Sequence, residues 1–178
     1  MARQRPCDLV IGVDSSADLM RAISHRASRK AARGGLANAI FGRLSLEQAP
    51  GELFQLADAL TVLFPWGSLL RAVAAPEVGA LRKLATVAKP GARVWFLYGY
   101  EARRDARAVE RLGLPDLEDS AAVRALEADY LDAGIEVRAQ YATRAKIAAV
   151  PSTWAKKLAF SQSDRTFVEL SGSVRAAS

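Results

Sequence analysis

Three residues in this 178-residue chain pair a side chain able to grip a ligand with a position a ligand can reach: Asp14, Trp66 and Trp154. Asp14 closes the apolar run Asp8-Leu-Val-Ile-Gly-Val-Asp14. A carboxylate at the end of a strand accepts hydrogen bonds from both hydroxyls of a ribose in doubly wound sheets. In front of Ser15-Ser16 the same carboxylate equally suits the cap of a helix, and both readings stand. Trp66 follows a strand-ending Phe64-Pro65, on the rim of any ligand crevice. An indole is costly to expose, so a rim tryptophan fits stacking on a planar ligand, or a lid packed on the next helix. Trp154 sits in Ser152-Thr-Trp-Ala-Lys-Lys-Leu158, three residues after Pro151 and beside two lysines. Trp95 lies within an apolar stretch and reads as core.

The other reactive side chains offer less. His25 reads as a surface residue, and the single cysteine, Cys7, as a small semi-buried hydrophobe. One cysteine excludes an intramolecular disulfide and a thiolate-rich zinc site, and no metal is expected. The net charge is +6, and its distribution is uneven. Between Leu19 and Leu46 stand six Arg or Lys residues and no acid, and Val137–Ser163 holds five with no acid. Two single-sign stretches suit a polyanion, and they equally suit two solvated faces.

The elements that must position these residues alternate between strand and helix. Strands are expected at Asp8–Asp14, Ala39–Gly42, Ala59–Phe64, Ala92–Tyr98, Ile135–Tyr141 and Thr166–Ser171. Helices are expected from Asp14-Ser-Ser to about Ala32, then Pro76–Ala88, Asp105–Leu112 and Ser120–Ala133. On the first helix Arg26, Arg29, Lys30 and Arg33 fall at i, i+3, i+4 and i+7, one face. Arg33-Gly34-Gly35 stops it. The stretch between the last two strands reads as a basic linker. The pattern implies an α/β fold: a mostly parallel sheet with helices on both faces and a C-terminal antiparallel strand pair. The 178 residues read as one domain. Hydrophobic residues are 51% and charged residues 25%, with no apolar run near the roughly 18 residues of a membrane span. No export signal is evident at the N-terminus, so a cytoplasmic location is expected.

Three phrases in order, RGGLANAIF, LFPWGSLL and STWAKKLAF, resemble the aminoglycoside-resistance 16S rRNA (adenine(1408)-N(1))-methyltransferases of KamB/NpmA type. The resemblance runs over essentially the whole chain with near-colinear spacing. It implies a Rossmann-like class I methyltransferase using S-adenosyl-L-methionine (SAM), acting as a monomer on 16S rRNA helix 44 of the 30S subunit. By position, Asp14 matches the acid on the SAM ribose, and Leu46 and Glu47 the segment flanking its adenine. Phe64 and Pro65 match the backbone facing the target base, and Ser68 the hydroxyl of that loop, grouped with the cofactor contacts. Trp66 and Trp154 match two rings that sandwich a flipped adenine, with Ser152 supporting the second. Arg26, Arg29, Lys30, Arg33, Lys157 and Arg165 match basic positions that dock on rRNA phosphates. Adenine N1 has a free lone pair, so the chemistry the resemblance implies needs no general base.

The family opens with a strand and a GxGxG loop, about 20 residues ahead of the acid in nucleotide-binding folds of this kind. Only thirteen residues precede Asp14, with Gly12 their single glycine. The expectation is therefore an N-terminally truncated domain with the first strand missing and two inner sheet edges unpaired. A misassigned start, a fragment and a degenerate homologue each account for this. An in-frame GxGxG within about 40 codons upstream separates the enzyme from an inactive homologue that binds RNA without SAM. A methyltransferase for another RNA or a small molecule is the further alternative.

Overall fold

The computed structural model describes residues 1–45, 49–160 and 165–176. The chain divides into two compact units, Met1–Ala49 and Pro50–Ser178. In the first, β1 (Val10–Asp14) pairs in parallel with β2 (Ala39–Arg43), and α1 (Ala17–Ala27) connects them. Ser16 caps α1, its Oγ accepting from Leu19 N at 3.3 Å. Met20 and Ala27 are buried on α1 and Ile23 half-buried between them, while Leu19 stays 47% exposed. The strand begins at Val10 rather than Asp8, and Cys7 is exposed in the turn before it.

The helix ends at Ala27, about five residues short of the sequence expectation. Lys30 adopts an extended ψ of 145°, and a separate 3-10 turn follows at Ala31–Arg33. Gly34 then takes φ +85°. A side chain at Gly35 would lie 1.6 Å from the Arg29 carbonyl oxygen, so only glycine lets the chain fold back there. Arg26, Arg29, Lys30 and Arg33 therefore do not share one helical face.

The second unit is built on a four-stranded sheet ordered β3-β4-β6-β5. The strands are β3 (Ala57–Leu63), β4 (Ala88–Tyr100), β5 (Ile135–Tyr141) and β6 (Thr166–Val174). β3 and β4 run parallel, and β6 lies antiparallel between β4 and β5. Three strands thus share a direction and β6 alone opposes them. The expected antiparallel end is present, with β6 paired on both sides. β4 starts four residues earlier than expected. Lys89-Pro90-Gly91 does not stop the chain; it forms an irregularity opposite Ala57–Ala59, where Gly91 takes φ +77°. β1 pairs only with β2 and β3 only with β4 among the described residues, so each has an edge without a partner strand.

Helices cover both faces of this sheet, since alternate residues along a strand point to opposite sides. Phe96 meets Tyr130 of α5 (Ser120–Asp132), ring centroids 5.9 Å apart. The Tyr130 hydroxyl donates to the Val73 carbonyl of α2 (Gly67–Ala74) at 2.9 Å. Between these helices in sequence come α3 (Val78–Thr86) and α4 (Ala106–Leu112). On the opposite face Leu97 and Phe167 pack with Ile147 and Val150 of α6 (Arg144–Ala149) and its C-cap, and with Ala155 and Ala159 of α7 (Thr153–Phe160). The helices α2, α6 and α7 were not expected. No helix among the described residues is long and apolar enough to cross a membrane.

Candidate active site

The loop after β3 carries a conformation the sequence did not signal. Phe64 has φ +49°, a left-handed backbone on an aromatic residue directly before proline. Such a conformation costs of order 1–3 kcal/mol and persists only where the surroundings over-determine it. Here two contacts do so. Phe64 N donates to the Leu97 carbonyl at 2.7 Å, and its ring meets Phe167 edge-on at 6.3 Å. The turn delivers Trp66 to the start of α2 with 51% of its surface exposed. Pro65 is half-buried, and Ser68 is exposed in the first turn of that helix.

Trp154 stands in the first turn of α7 and is 56% exposed. Ser152 supports that turn: its Oγ accepts from Ala155 N at 3.4 Å, and its carbonyl from Lys156 N at 3.1 Å. Leu63 and Phe64 pack against the same cluster as Ala155 and Leu158. One patch of core therefore underlies both the segment bearing Trp66 and the segment bearing Trp154. Lys156, Lys157 and Phe160 are exposed on α7, Phe160 at 79%.

Two charged clusters went unseen in the sequence. Glu169 is buried mid-strand in β6. Its Oε1 accepts from Trp95 Nε1 at 2.7 Å, and its Oε2 from Gln140 Nε2 at 2.5 Å and from Lys146 Nζ. Burial alone pushes the Glu169 carboxyl up, but the hydrogen bonds from Lys146, Gln140 and Trp95, with the Lys146 charge, outweigh it. The group is held below the ordinary carboxylate range. Trp95 is accordingly half-buried, anchored by its polar edge. Just ahead of β6, Arg165 pairs with Asp105 at 3.0 Å and donates to the Gly99 carbonyl at 2.9 Å, its side chain only 16% exposed. A phosphate contact was expected of Arg165; its guanidinium ties the start of β6 to the end of β4.

In the Met1–Ala49 unit, Asp14 is exposed at the end of β1. Its Oδ1 accepts from Ser16 N at 2.8 Å, so one oxygen caps the turn into α1. The two roles left open by the sequence are compatible, since a carboxylate has a second oxygen. Arg26, Arg29, Lys30 and Arg33 are all exposed, as is His25. Leu46 and Glu47, expected beside the cofactor adenine, lie outside the described residues.

The profile of the NpmA family, 16S rRNA (adenine(1408)-N(1))-methyltransferase, matches residues 1–173. The chain belongs to this family. The Escherichia coli 16S rRNA (adenine(1408)-N(1))-methyltransferase is 31% identical over 166 residues, 92% of this chain and 75% of that protein. The Streptoalloteichus tenebrarius methyltransferase of the same name is 31% identical over 176 residues, 98% of this chain and 80% of that protein. Among solved structures, the 16S rRNA methyltransferase KamB superposes with a TM-score of 0.84 at 30% identity, covering 98% of this chain and 80% of KamB. A variant of the Catenulisporales acidiphilia methyltransferase, solved with cosubstrate SAM, superposes with a TM-score of 0.82 at 31% identity, covering 98% and 79%. The Rossmann-like fold expected of a 16S rRNA (adenine(1408)-N(1))-methyltransferase is thereby shared with solved members of the family.

Proposed function

We propose that this protein transfers a methyl group from SAM to ring nitrogen 1 of adenine 1408 in 16S rRNA, and so confers aminoglycoside resistance. The observation that carries this reading is the pair of half-exposed indoles on segments resting against one core cluster. On this reading Trp66 and Trp154 hold the adenine flipped out of helix 44 of the 30S subunit, Phe64 and Pro65 face its edge, and Ser152 steadies Trp154. Arg26, Arg29, Lys30, Arg33 and Lys157 meet the rRNA phosphates of a single protein copy bound to the subunit. Arg165, committed to Asp105 and Gly99, supports the fold.

Asp14 fits the cofactor: an exposed carboxylate with one oxygen in the turn and the other available to a ribose. Bound SAM supplies the electrophilic methyl group. N1 of adenine brings its own lone pair, so the chain has no proton to remove, and its contribution is positioning. The methylated ring is cationic, and indole faces favour a cation between them. Methylation of purified 30S subunits, measured beside thermal melts, tests the pair. Trp154→Ala should lose roughly 10- to 100-fold in rate, the worth of about 1–3 kcal/mol of base stacking, with an unchanged melting temperature. Full activity would end the sandwich reading.

A further inference from the structure

A buried carboxylate in the middle of a sheet face is expensive unless several donors compensate it. Glu169 has three, from three different elements: Trp95 on β4, Gln140 on β5 and Lys146 on α6. Its cross-strand neighbours are Leu97 and Gln140, so the carboxylate lies on the face that α6 and α7 cover. Apolar side chains of similar volume would fill that place without needing partners. What they could not do is fix a direction, because hydrophobic contact is non-directional, whereas a carboxylate with three donors is not. Lys146 stands eight residues ahead of Trp154. Between them the chain turns at Val150-Pro151-Ser152, anchored by the buried Ile147 and Val150.

We propose that Glu169 is a positioning residue for Trp154: through Lys146 it fixes α6 on the sheet, and α6 sets the orientation in which the following turn presents the indole. The proposal rests on the reading of Trp154 given above. Glu169 touches neither base nor cofactor and acts through the segment 143–160.

Glu169→Gln keeps the shape and an acceptor oxygen but loses the ion pair. It also removes a negative charge from a chain of net charge +6. Simple electrostatics would therefore strengthen binding to RNA, and a loss would have to come through orientation. The expected results are a melting temperature within a few degrees of the parent, a roughly tenfold weaker affinity for 30S subunits, and an unchanged slope of log affinity against log salt. The indole N–H resonance of Trp95 should move upfield, and amide exchange across 143–160 should quicken. In a Trp154→Ala background Glu169→Gln should cost nothing further, because residues acting through one another are not additive. Should Glu169→Gln not fold, Lys146→Met takes its place. Its weaker binding at an unchanged salt slope supports positioning, while a slope reduced by about one marks a direct phosphate contact and overturns it. Undiminished 30S affinity in Glu169→Gln, or a loss that adds to that of Trp154→Ala, also overturns the proposal. If Trp154→Ala alone binds and methylates normally while Glu169→Gln still loosens 143–160, the sandwich reading fails and the positioning of the segment stands.

Discussion

The two units of this chain bury their apolar residues to very different degrees. In Met1–Ala49 the buried hydrophobics among the described residues are Ala2, Met20 and Ala27, while Leu9, Ile11, Val13, Leu19 and Ile40 stay 41–60% exposed. In Pro50–Ser178 the sheet is covered on both faces, and Leu70, Phe96, Leu97, Tyr98, Tyr130 and Ile147 are fully buried. The residues proposed to hold the base are carried by the well-packed unit. Those proposed to hold the cofactor ribose and, apart from Lys157, the rRNA phosphates are carried by the sparsely packed one. The difference has a physical source: β1 and β2 pair only with each other among the described residues, so their apolar side chains find less to pack on than those of the four-stranded sheet.

Mutation can break this comparison at several points. The largest effect should come from Phe167→Ala, which removes a ring under both tryptophan-bearing segments. A loss of about 3–5 kcal/mol is expected for such a truncation, read as a lowered denaturant midpoint. A loss below 1 kcal/mol would show that the cluster around Phe167 does not organise the unit. Next comes the pair itself: Trp66→Ala with Trp154→Ala should cost less in methylation than the product of the single losses, because one ring holds the base poorly without the other. Independent, multiplicative losses would separate the two rings.

A smaller effect is expected in the lighter unit. Arg29→Glu with Arg33→Glu should weaken 30S binding and flatten its salt dependence, while SAM affinity stays as it was. Lost SAM affinity with intact 30S binding would reverse the assignment of this face. The smallest effect sharpens the contrast by pH. The Glu169 pKa is held below the ordinary carboxylate value in the folded protein, so its stabilisation is present above the unfolded pKa. It is lost as pH falls through the folded pKa. Thermal melts from pH 6 downward should therefore fall more steeply for the parent than for Glu169→Gln, and parallel curves would mean that Glu169 is not bound as described.

Much of this arrangement was legible in the sequence. The strand-and-helix alternation placed most elements within a few residues. Prolines ahead of Trp66 and Trp154 marked both rings as lying where the chain leaves a strand or a loop, and both are exposed. The misses have local causes. Pro65-Trp-Gly and Pro151-Ser read as loop, which hid α2 and α7, although Leu70 and Val73, and Ala155 and Ala159, are buried on them. The first helix looked longer because its basic residues keep a helical spacing past Ser28, where Gly34-Gly35 turns the chain back. Glu169 left no signal, because a lone acid in Thr-Phe-Val-Glu-Leu-Ser171 becomes notable only once Trp95, Gln140 and Lys146 arrive from elsewhere. The Arg165 pair was hidden for the same reason: in sequence it is one more cation, and in space it faces Asp105.

The left-handed turn at Phe64 has a consequence for the strength of recognition. A loop that had to find this conformation when the rRNA arrived would lose binding energy to ordering itself at the moment of encounter. Here the hydrogen bond to Leu97 and the edge-on contact with Phe167 hold the unfavourable angle beforehand, so the cost is met during folding and the Pro65–Trp66 corner would meet the base proposed for it already shaped. Phe64→Gly would relax the backbone and cost little stability for the turn itself, yet it would return the corner to a set of conformers of which only a fraction is competent. Apparent affinity would then fall by that fraction, so a more comfortable loop would make a weaker binder.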